Sequence, residues 1–220
     1  MGSIHRSARL DAVCTGRSAS APWLGEGAST AIDKRPLDGT IRVGELGLDG
    51  DEQGDTAHHG GRDQALYAYA QEDADHWTAA LDREVAPGSF GENLRTSGLE
   101  VSTARIGERW RIGRDVEVVV TAPRIPCRTF AGFWDVPDLV ARFLSAGRPG
   151  AYLRVVAVGE VRAGDRIEVL HRPDHDLTVA DVMRIHTRDR HEAPRLLQVE
   201  GLAERAHEWA VEHVGATRRA

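Results

Sequence analysis

The chain has 220 residues, of which 28 are basic and 34 are acidic, so its formal net charge is −6. A hydrophobic fraction of 41% and a charged fraction of 28% are ordinary for a soluble globular protein. The acidic balance argues against broad electrostatic binding to nucleic acid or to an anionic membrane, while leaving room for a local anion pocket.

The sequence predicts no membrane span, because it contains no run of eighteen apolar residues. Its first ten residues, MGSIHRSARL, lack the apolar core of a signal peptide. Two cysteines occur, Cys14 and Cys127, and two in a chain of this length do not make a disulfide framework. We therefore expect a cytoplasmic protein with two free thiols.

Short β-type runs and Gly-rich turns dominate the chain up to residue 172. Strands are predicted, in chain order, at 8–14, 40–43, 65–69, 108–112, 116–121, 152–158 and 166–170. Helices are predicted at 71–81, with Trp77 inward, and at 138–144. The fourth and fifth predicted strands form a hairpin around IGRD. The sixth and seventh are predicted to pair with each other through the connection GEVRAGD. Many short strands with few helices predict a mainly β fold, a closed or nearly closed barrel.

Glycine almost vanishes after HRPDHD, so we predict a boundary near Arg172 that separates a β-barrel domain, 1–172, from a tail, 173–220. The tail is predicted to form a small three-helix domain, with helices at 178–186, 193–197 and 202–214. Thr178 is the expected N-cap of the first helix, with Asp181 three residues later.

The segment GDEQGDTAHHGGRD, residues 50–63, is too polar for a core and is predicted to be a surface loop or a barrel rim. Gly60 and Gly61 allow the backbone to approach a ligand closely. The adjacent His58 and His59 are candidates for binding a metal or an anion. The alternative is a solvated loop that turns at His-Gly-Gly.

The segment PGSFGEN, residues 87–93, combines glycines with an acid and an amide. Backbone N–H groups freed by glycines, together with the Asn93 side chain, are able to cradle an anion. The alternative is a plain turn that leads into the next strand.

Cys127 ends the segment PRIPC, whose two prolines stiffen the chain around it. Arg124 and Arg128 bracket the thiol, and neighbouring cations favour the thiolate, which is a soft metal ligand. A buried structural thiol is the equal alternative. Cys14, by contrast, falls in a strand with apolar neighbours and is predicted to be structural. Neither a zinc-ligand spacing nor a nucleotide-binding glycine motif is present.

Taken together, these segments resemble the MOSC family, named for the C-terminal domain of molybdenum cofactor sulfurase. The resemblance covers roughly residues 8–171 and rests on the order of five segments. These are GLDGDEQGDTAHHGGRDQALYAY, PGSFGEN, IGERWRIG, PRIPC and GAYLRVVAVGEVRAGD. The tail LTVADVMRIHTRDRHEAPRLLQVEGLAERAHEWA is similar to the three-helix domain of the YiiM-type branch.

The resemblance implies a site for molybdenum cofactor, with Cys127 as metal ligand and catalytic centre. It implies that the cofactor pocket is lined by His59, Gly60, Gly61, Phe90, Gly91, Glu92, Asn93 and Arg124. Arg124 would contact the pterin phosphate or the oxo groups of the metal. Lys34 lies in TAIDK, where Ala31 replaces the usual glycine of the family, and this departure weakens its assignment. A family-level association with pyridoxal phosphate binding also follows from the resemblance.

The resemblance further implies an oxidoreductase that reduces N-hydroxylated compounds, such as N-hydroxylated purine analogues, in detoxification. Asp55, Asp63 or Glu92 would supply protons, and an external redox protein would supply electrons. The alternative is a carrier that holds the cofactor or a persulfide on Cys127 without turnover. A homodimer is one possible assembly.

Nucleic-acid binding by the tail is not expected. Four arginines suggest a basic face: Arg184, Arg188, Arg190 and Arg195. Four acids counter them: Asp181, Asp189, Glu192 and Glu200. Without a net basic excess such a patch means little, so we expect the tail to pack against the barrel or another subunit.

Overall fold

The computed structural model describes residues 7–52 and 60–217. Of the predicted site residues, His58, His59 and Asp55 lie outside these ranges. No helix in the described part of the chain is long and apolar enough to cross a membrane.

Thirteen strands are present in the described ranges. They are β1 (Arg9–Thr15), β2 (Ala19–Ser20), β3 (Ser29–Thr30), β4 (Arg35–Pro36), β5 (Ile41–Gly44), β6 (Gly47–Leu48), β7 (Leu66–Ala70), β8 (Leu94–Ser97), β9 (Arg109–Ile112), β10 (Val116–Pro123), β11 (Ala151–Ala157), β12 (Gly159–Val161) and β13 (Ile167–His171).

The α-helices of the same ranges are α1 (Gln71–Leu81), α2 (Arg128–Trp134), α3 (Leu139–Ala146), α4 (Val179–Thr187) and α5 (Glu204–Thr217). Short 3₁₀ helices lie at Pro22–Leu24, Arg62–Gln64, Val101–Thr103 and Arg190–Gln198.

Eight strands form one sheet in the order β13-β9-β10-β11-β7-β8-β1-β4, mostly antiparallel, with a parallel β7–β8 pair. Two small sheets accompany it, β12-β5-β6 and β2-β3. The large sheet curls so far that β1 reaches the residues just before β13. Leu10 N donates a hydrogen bond to Asp165 O at 2.8 Å, and Leu10 O accepts one from Gly164 N at 2.7 Å. An isolated bridge joins Arg9 to Arg166.

The predicted closed barrel is not confirmed, and the fold is a mixed sheet-and-helix fold. β1 pairs with β8 from Arg9 to Val13 and with β4 at Cys14 and Thr15, and its link to the β13 side is limited to an isolated bridge and a few backbone hydrogen bonds. The large sheet therefore keeps two ends, β13 and β4, in the described ranges.

Strand pairing was predicted correctly for one hairpin and wrongly for the other. β9 and β10 pair as expected, with Val116 opposite Ile112. β11 and β13 do not pair with each other, because β11 lies between β10 and β7 while β13 pairs with β9. Part of the connection that was predicted to be a turn is strand β12, which pairs with β5 through Gly159 and Val43.

The buried side chains form two clusters. One lies inside the curled sheet and continues into the tail, where Val179, Val182 and Ile185 of α4 are buried with strand residues. The other is aromatic and packs α1, α2 and α3 on β7, with Trp77 stacked on Phe143 at 5.6 Å. The aromatic cluster supports the cavity described below.

The tail begins at the predicted helix cap. Thr178 Oγ1 accepts a hydrogen bond from Asp181 N at 3.1 Å, and Asp181 Oδ2 accepts one from Thr178 N at 3.1 Å, which completes a capping box. All three predicted tail helices are present, the second as a 3₁₀ helix containing Pro194. They share a hydrophobic cluster with the sheet, and the division into 1–172 and 173–220 remains a prediction.

Candidate functional site

A cavity of about 260 Å³ opens between the end of β10, the loop before β8 and the segment after β3. Seven of the residues that the sequence assigned to the site line it: Lys34, Gly60, Phe90, Gly91, Asn93, Arg124 and Cys127. These seven residues come from four distant stretches of chain that meet around one space, and the roles assigned to them remain predictions.

Cys127 has a free, half-buried thiol and is the N-cap residue of α2. Its backbone is extended, with φ −133° and ψ 175°, and its carbonyl accepts the hydrogen bond of Ala131 N at 3.2 Å. The side chain shares the cavity with Tyr152. Burial raises the pKa of the Tyr152 phenol, Arg124 acts in the opposite direction, and Cys127 adds to the rise. The thiol is therefore held by fixed backbone beside a phenol and a guanidinium.

Arg124 is the cation of the cavity that no carboxylate of the described residues neutralises. It is 6% exposed, and its guanidinium lies 4.1 Å from the Phe130 ring centre and 5.7 Å from that of Tyr67. Its Nη1 is buried without a hydrogen-bond partner among the described residues. A buried N–H without an acceptor is costly, so the arrangement suits an anionic or oxygen-bearing ligand. Arg128, which was expected to bracket the thiol, is exposed and does not line the cavity.

Lys34, the single lysine of the sequence, is buried and pairs with Asp51 in the same cavity. Asp51 also accepts hydrogen bonds from Gly16 N at 2.8 Å and from Asn93 Nδ2 at 2.8 Å. Asn93 in turn accepts one from Tyr67 N at 3.1 Å. Asp51 therefore neutralises Lys34, and no carboxylate of the described residues pairs with Arg124, the other cation of the cavity.

Comparison with known proteins gives the family. The model of the MOSC domain matches residues 55–168. YiiM of Escherichia coli is 35% identical over 198 residues, which cover 87% of this chain and 86% of that protein. The chain belongs to the MOSC family.

Two further comparisons bear on fold and chemistry. The crystal structure of YiiM from Geobacillus stearothermophilus superposes with a TM-score of 0.78 at 23% identity, covering 94% of this chain and 98% of that one, and this likeness shows the fold alone. A protein of Gibberella moniliformis named "Reductase" is 32% identical over 165 residues, which are 74% of this chain and 29% of that protein. The resemblance to MOSC proteins of the YiiM type is therefore confirmed.

Two residues that the resemblance assigned to the MOSC pocket do not line the cavity, namely Gly61 and Glu92. Glu92 is fully buried, where it pairs with Arg95 and accepts hydrogen bonds from Gly88 N at 2.8 Å and Phe90 N at 3.0 Å. The Glu92 carboxylate holds the conformation of the PGSFGEN loop, because it accepts hydrogen bonds from two backbone N–H groups of that loop and pairs with the Arg95 guanidinium. Asp63, a predicted proton source, is likewise engaged, by Arg154 at 2.7 Å and by Glu204 N at 2.8 Å.

Glycine is required where the PGSFGEN loop crosses the segment that carries Lys34. Gly88 has φ +87°, and a Cβ at that position would collide with the Lys34 carbonyl. Gly91 has φ +80°, and its Cβ would lie 3.3 Å from the Ile32 side chain. Both positions need a residue that tolerates positive φ and close backbone approach. The glycines of this motif therefore let the loop form one wall of the cavity.

Among the polar residues of the cavity that sequence reasoning missed are these four: Asp51, Gln64, Tyr67 and Tyr152. All four lie inside segments that carried the MOSC resemblance, so position within a quoted motif was the available signal. No local pattern distinguished them, because the tyrosines read as ordinary strand residues. Neither the comparisons nor the cavity support the family-level association with pyridoxal phosphate. In the described residues, no group of three or more His, Cys, Asp or Glu side chains could hold a metal ion.

The two thiols are expected to differ sharply in reactivity. Burial, followed by the nearby Glu92 carboxylate, raises the pKa of Cys14 to about 12, so almost no thiolate forms there at pH 8. Cys127 is half-buried in an open cavity. We expect iodoacetamide at pH 8 to modify Cys127 alone in the folded protein, and both thiols after unfolding in urea. Peptide mass spectrometry measures this, and equal labelling of Cys14 in the folded protein would contradict the assignment of Cys14 to the core.

Proposed function

We propose that this MOSC protein binds molybdenum cofactor and reduces N-hydroxylated small molecules. The observation that carries the proposal is the shared cavity of the Cys127 thiol and the Arg124 guanidinium, whose buried Nη1 has no hydrogen-bond partner among the described residues. The family match and the similarity to a protein named as a reductase support the redox chemistry.

The donor set fits such a cofactor. A thiolate is a soft ligand of the kind that molybdenum accepts, and one protein ligand suffices for a cofactor that brings its remaining metal ligands with it. A guanidinium matches phosphate and oxo oxygens, which would give the buried Arg124 Nη1 its acceptor. In this proposal Cys127 holds the metal, Arg124 holds the phosphate or an oxo group, and Gly91 and Asn93 line the walls.

The bound cofactor would supply the two electrons that cleave the N–O bond. The protein's own contribution is to position the substrate and to limit water, since Tyr67, Phe90 and Tyr152 form apolar walls. Protons are needed at the departing oxygen. We assign their supply to the Lys34 ammonium, because the lining carboxylates Asp51 and Glu52 accept hydrogen bonds from backbone N–H groups, and Asp63 and Glu92 do not line the cavity. An external redox protein would reload the electrons.

Turnover by the purified protein tests the proposal. Protein from cells supplied with molybdate is mixed with benzamidoxime and a chemical reductant, and benzamidine is measured by chromatography. We expect catalytic turnover, and none from protein of cells grown without molybdate. Absence of turnover by protein that carries molybdenum would contradict the proposal. A stable persulfide on Cys127 without turnover would instead indicate the carrier function.

A further inference from the structure

The cavity contains a second buried polar atom without a partner, on the wall formed by Gln64. Among the described residues, five buried side-chain polar atoms have no hydrogen-bond partner, and two of them belong to residues of this cavity. One is Arg124 Nη1, a donor, and the other is Gln64 Oε1, an acceptor. A buried polar atom that lacks a protein partner calls for a partner from water or a ligand.

The backbone at Gln64 is anchored through the neighbouring residue Asp63. Gln64 ends the 3₁₀ helix Arg62–Gln64, and the preceding Asp63 is fixed by three contacts. The Asp63 carbonyl accepts a hydrogen bond from the Thr121 hydroxyl at 2.6 Å, and the Asp63 carboxylate accepts hydrogen bonds from Arg154 Nε at 2.7 Å and from Glu204 N at 2.8 Å. The residue after Gln64 is buried. The side chain is thus presented to the cavity from a backbone tied to two strands and the tail.

From these observations we infer that Gln64 is a specificity-determining residue, which accepts a hydrogen bond from an N–H of the substrate beside its N–O group. The inference rests on the proposed function and deepens it. A substrate then meets the acceptor of Gln64 between the aromatic walls of Tyr67 and Tyr152, while Arg124 stays with the cofactor. N-hydroxylated amidines match this acceptor, because an amino group stands on the carbon that bears the N–OH nitrogen. Hydroxamic acids place a carbonyl, an acceptor, at the same position, and their N–H lies on the hydroxylated nitrogen itself, so Gln64 has no donor at that position.

Benzamidoxime and benzohydroxamic acid form a pair of probes, since they share the phenyl and N–OH groups and differ at the amino or carbonyl group and in the N–H of the hydroxylated nitrogen. Their dissociation constants are measured by calorimetry on the cofactor-containing protein without reductant, beside kcat/KM with reductant. We expect the wild type to prefer the amidoxime by about tenfold or more, the size expected for one buried acceptor left unpaired.

Two substitutions separate acceptance of a hydrogen bond from mere packing. Gln64→Leu removes the acceptor, and we expect the preference to fall to within about twofold. Gln64→Glu keeps an acceptor of the same shape, and we expect the preference to persist. An unchanged preference in Gln64→Leu would overturn the inference, and so would a loss of cofactor from Gln64→Leu, since Gln64 would then hold the cofactor and not the substrate. These failures leave wild-type turnover, and with it the proposed function, untouched.

Discussion

Replacement of Glu92 by Gln is expected to lower the free energy of unfolding by about 3–5 kcal/mol, the cost typical of breaking a buried ion pair by removing one charge. Both side chains of the Glu92–Arg95 pair are 0% exposed. Glutamine keeps the shape of the side chain and leaves the buried guanidinium of Arg95 without its counter-charge. The remaining partners of Arg95 are neutral, the Gln71 side chain at 3.0 Å and the carbonyls of Val85 and Ala86, both at 3.2 Å.

Urea unfolding followed by circular dichroism measures the effect, with Glu45→Gln as the matched control. Glu45 pairs with Arg62 on the surface, where the two side chains are 61% and 71% exposed, so its loss is expected to cost less than about 1 kcal/mol. Equal effects of the two substitutions would contradict a structural role for the buried pair. Because Glu92 holds the backbone of Gly88 and Phe90, the same variant is expected to loosen one wall of the cavity.

Replacement of Arg124 by Gln is expected to speed the loss of molybdenum from the purified protein by roughly 10–150-fold. This range corresponds to about 1.5–3 kcal/mol, the usual contribution of a hydrogen bond to a charged group. The proposal gives Arg124 an anionic partner because no carboxylate of the described residues pairs with it and its Nη1 is buried. Metal retained after timed dialysis, measured by mass spectrometry of the metal, gives the rate.

Arg128→Gln is the control for that experiment, since Arg128 is four residues away, exposed and outside the cavity. We expect it to retain metal as the wild type does. Urea unfolding of both variants separates loss of the anion contact from loss of packing, because Arg124 also lies over Phe130 at 4.1 Å. Equal retention by Arg124→Gln and wild type would show that Arg124 does not hold the cofactor.

Local patterns in the sequence predicted the positions of helices and strands well, but they predicted poorly which strands pair with each other. The helix at 71–81 has the predicted bounds, and the Thr178 cap is confirmed by its capping box. Hydrophobic alternation found the strand 152–158 within one residue, because alternation reports burial on one face. It does not report which strand lies alongside. The pairing of β11 with β13 was inferred from sequence proximity and is wrong, and the closed barrel was inferred from the many short strands and is not confirmed.

The candidate site shows the same limit. Cys127, Arg124 and Asn93 were found because each stands in a segment with an unusual residue composition. Glu92 was placed with them by adjacency, yet it points to the buried Arg95, because neighbouring residues in a loop face different directions. Asp51 lies in a loop and Tyr152 in strand β11, and neither position stands out in the sequence. Long-range packing brings the two residues into one cavity, and no local pattern encodes that packing.

Molybdenum content of purified Cys127→Ser, beside wild type and Cys14→Ser, tests the central claim most directly. Both substitutions remove one thiol, but Cys14 is buried in the core and Cys127 lines the cavity. All three proteins are made in cells supplied with molybdate and assayed for metal and pterin. We expect molybdenum in the wild type and in folded Cys14→Ser, and its loss from Cys127→Ser. Full molybdenum in folded Cys127→Ser would contradict the assignment of Cys127 as the metal ligand.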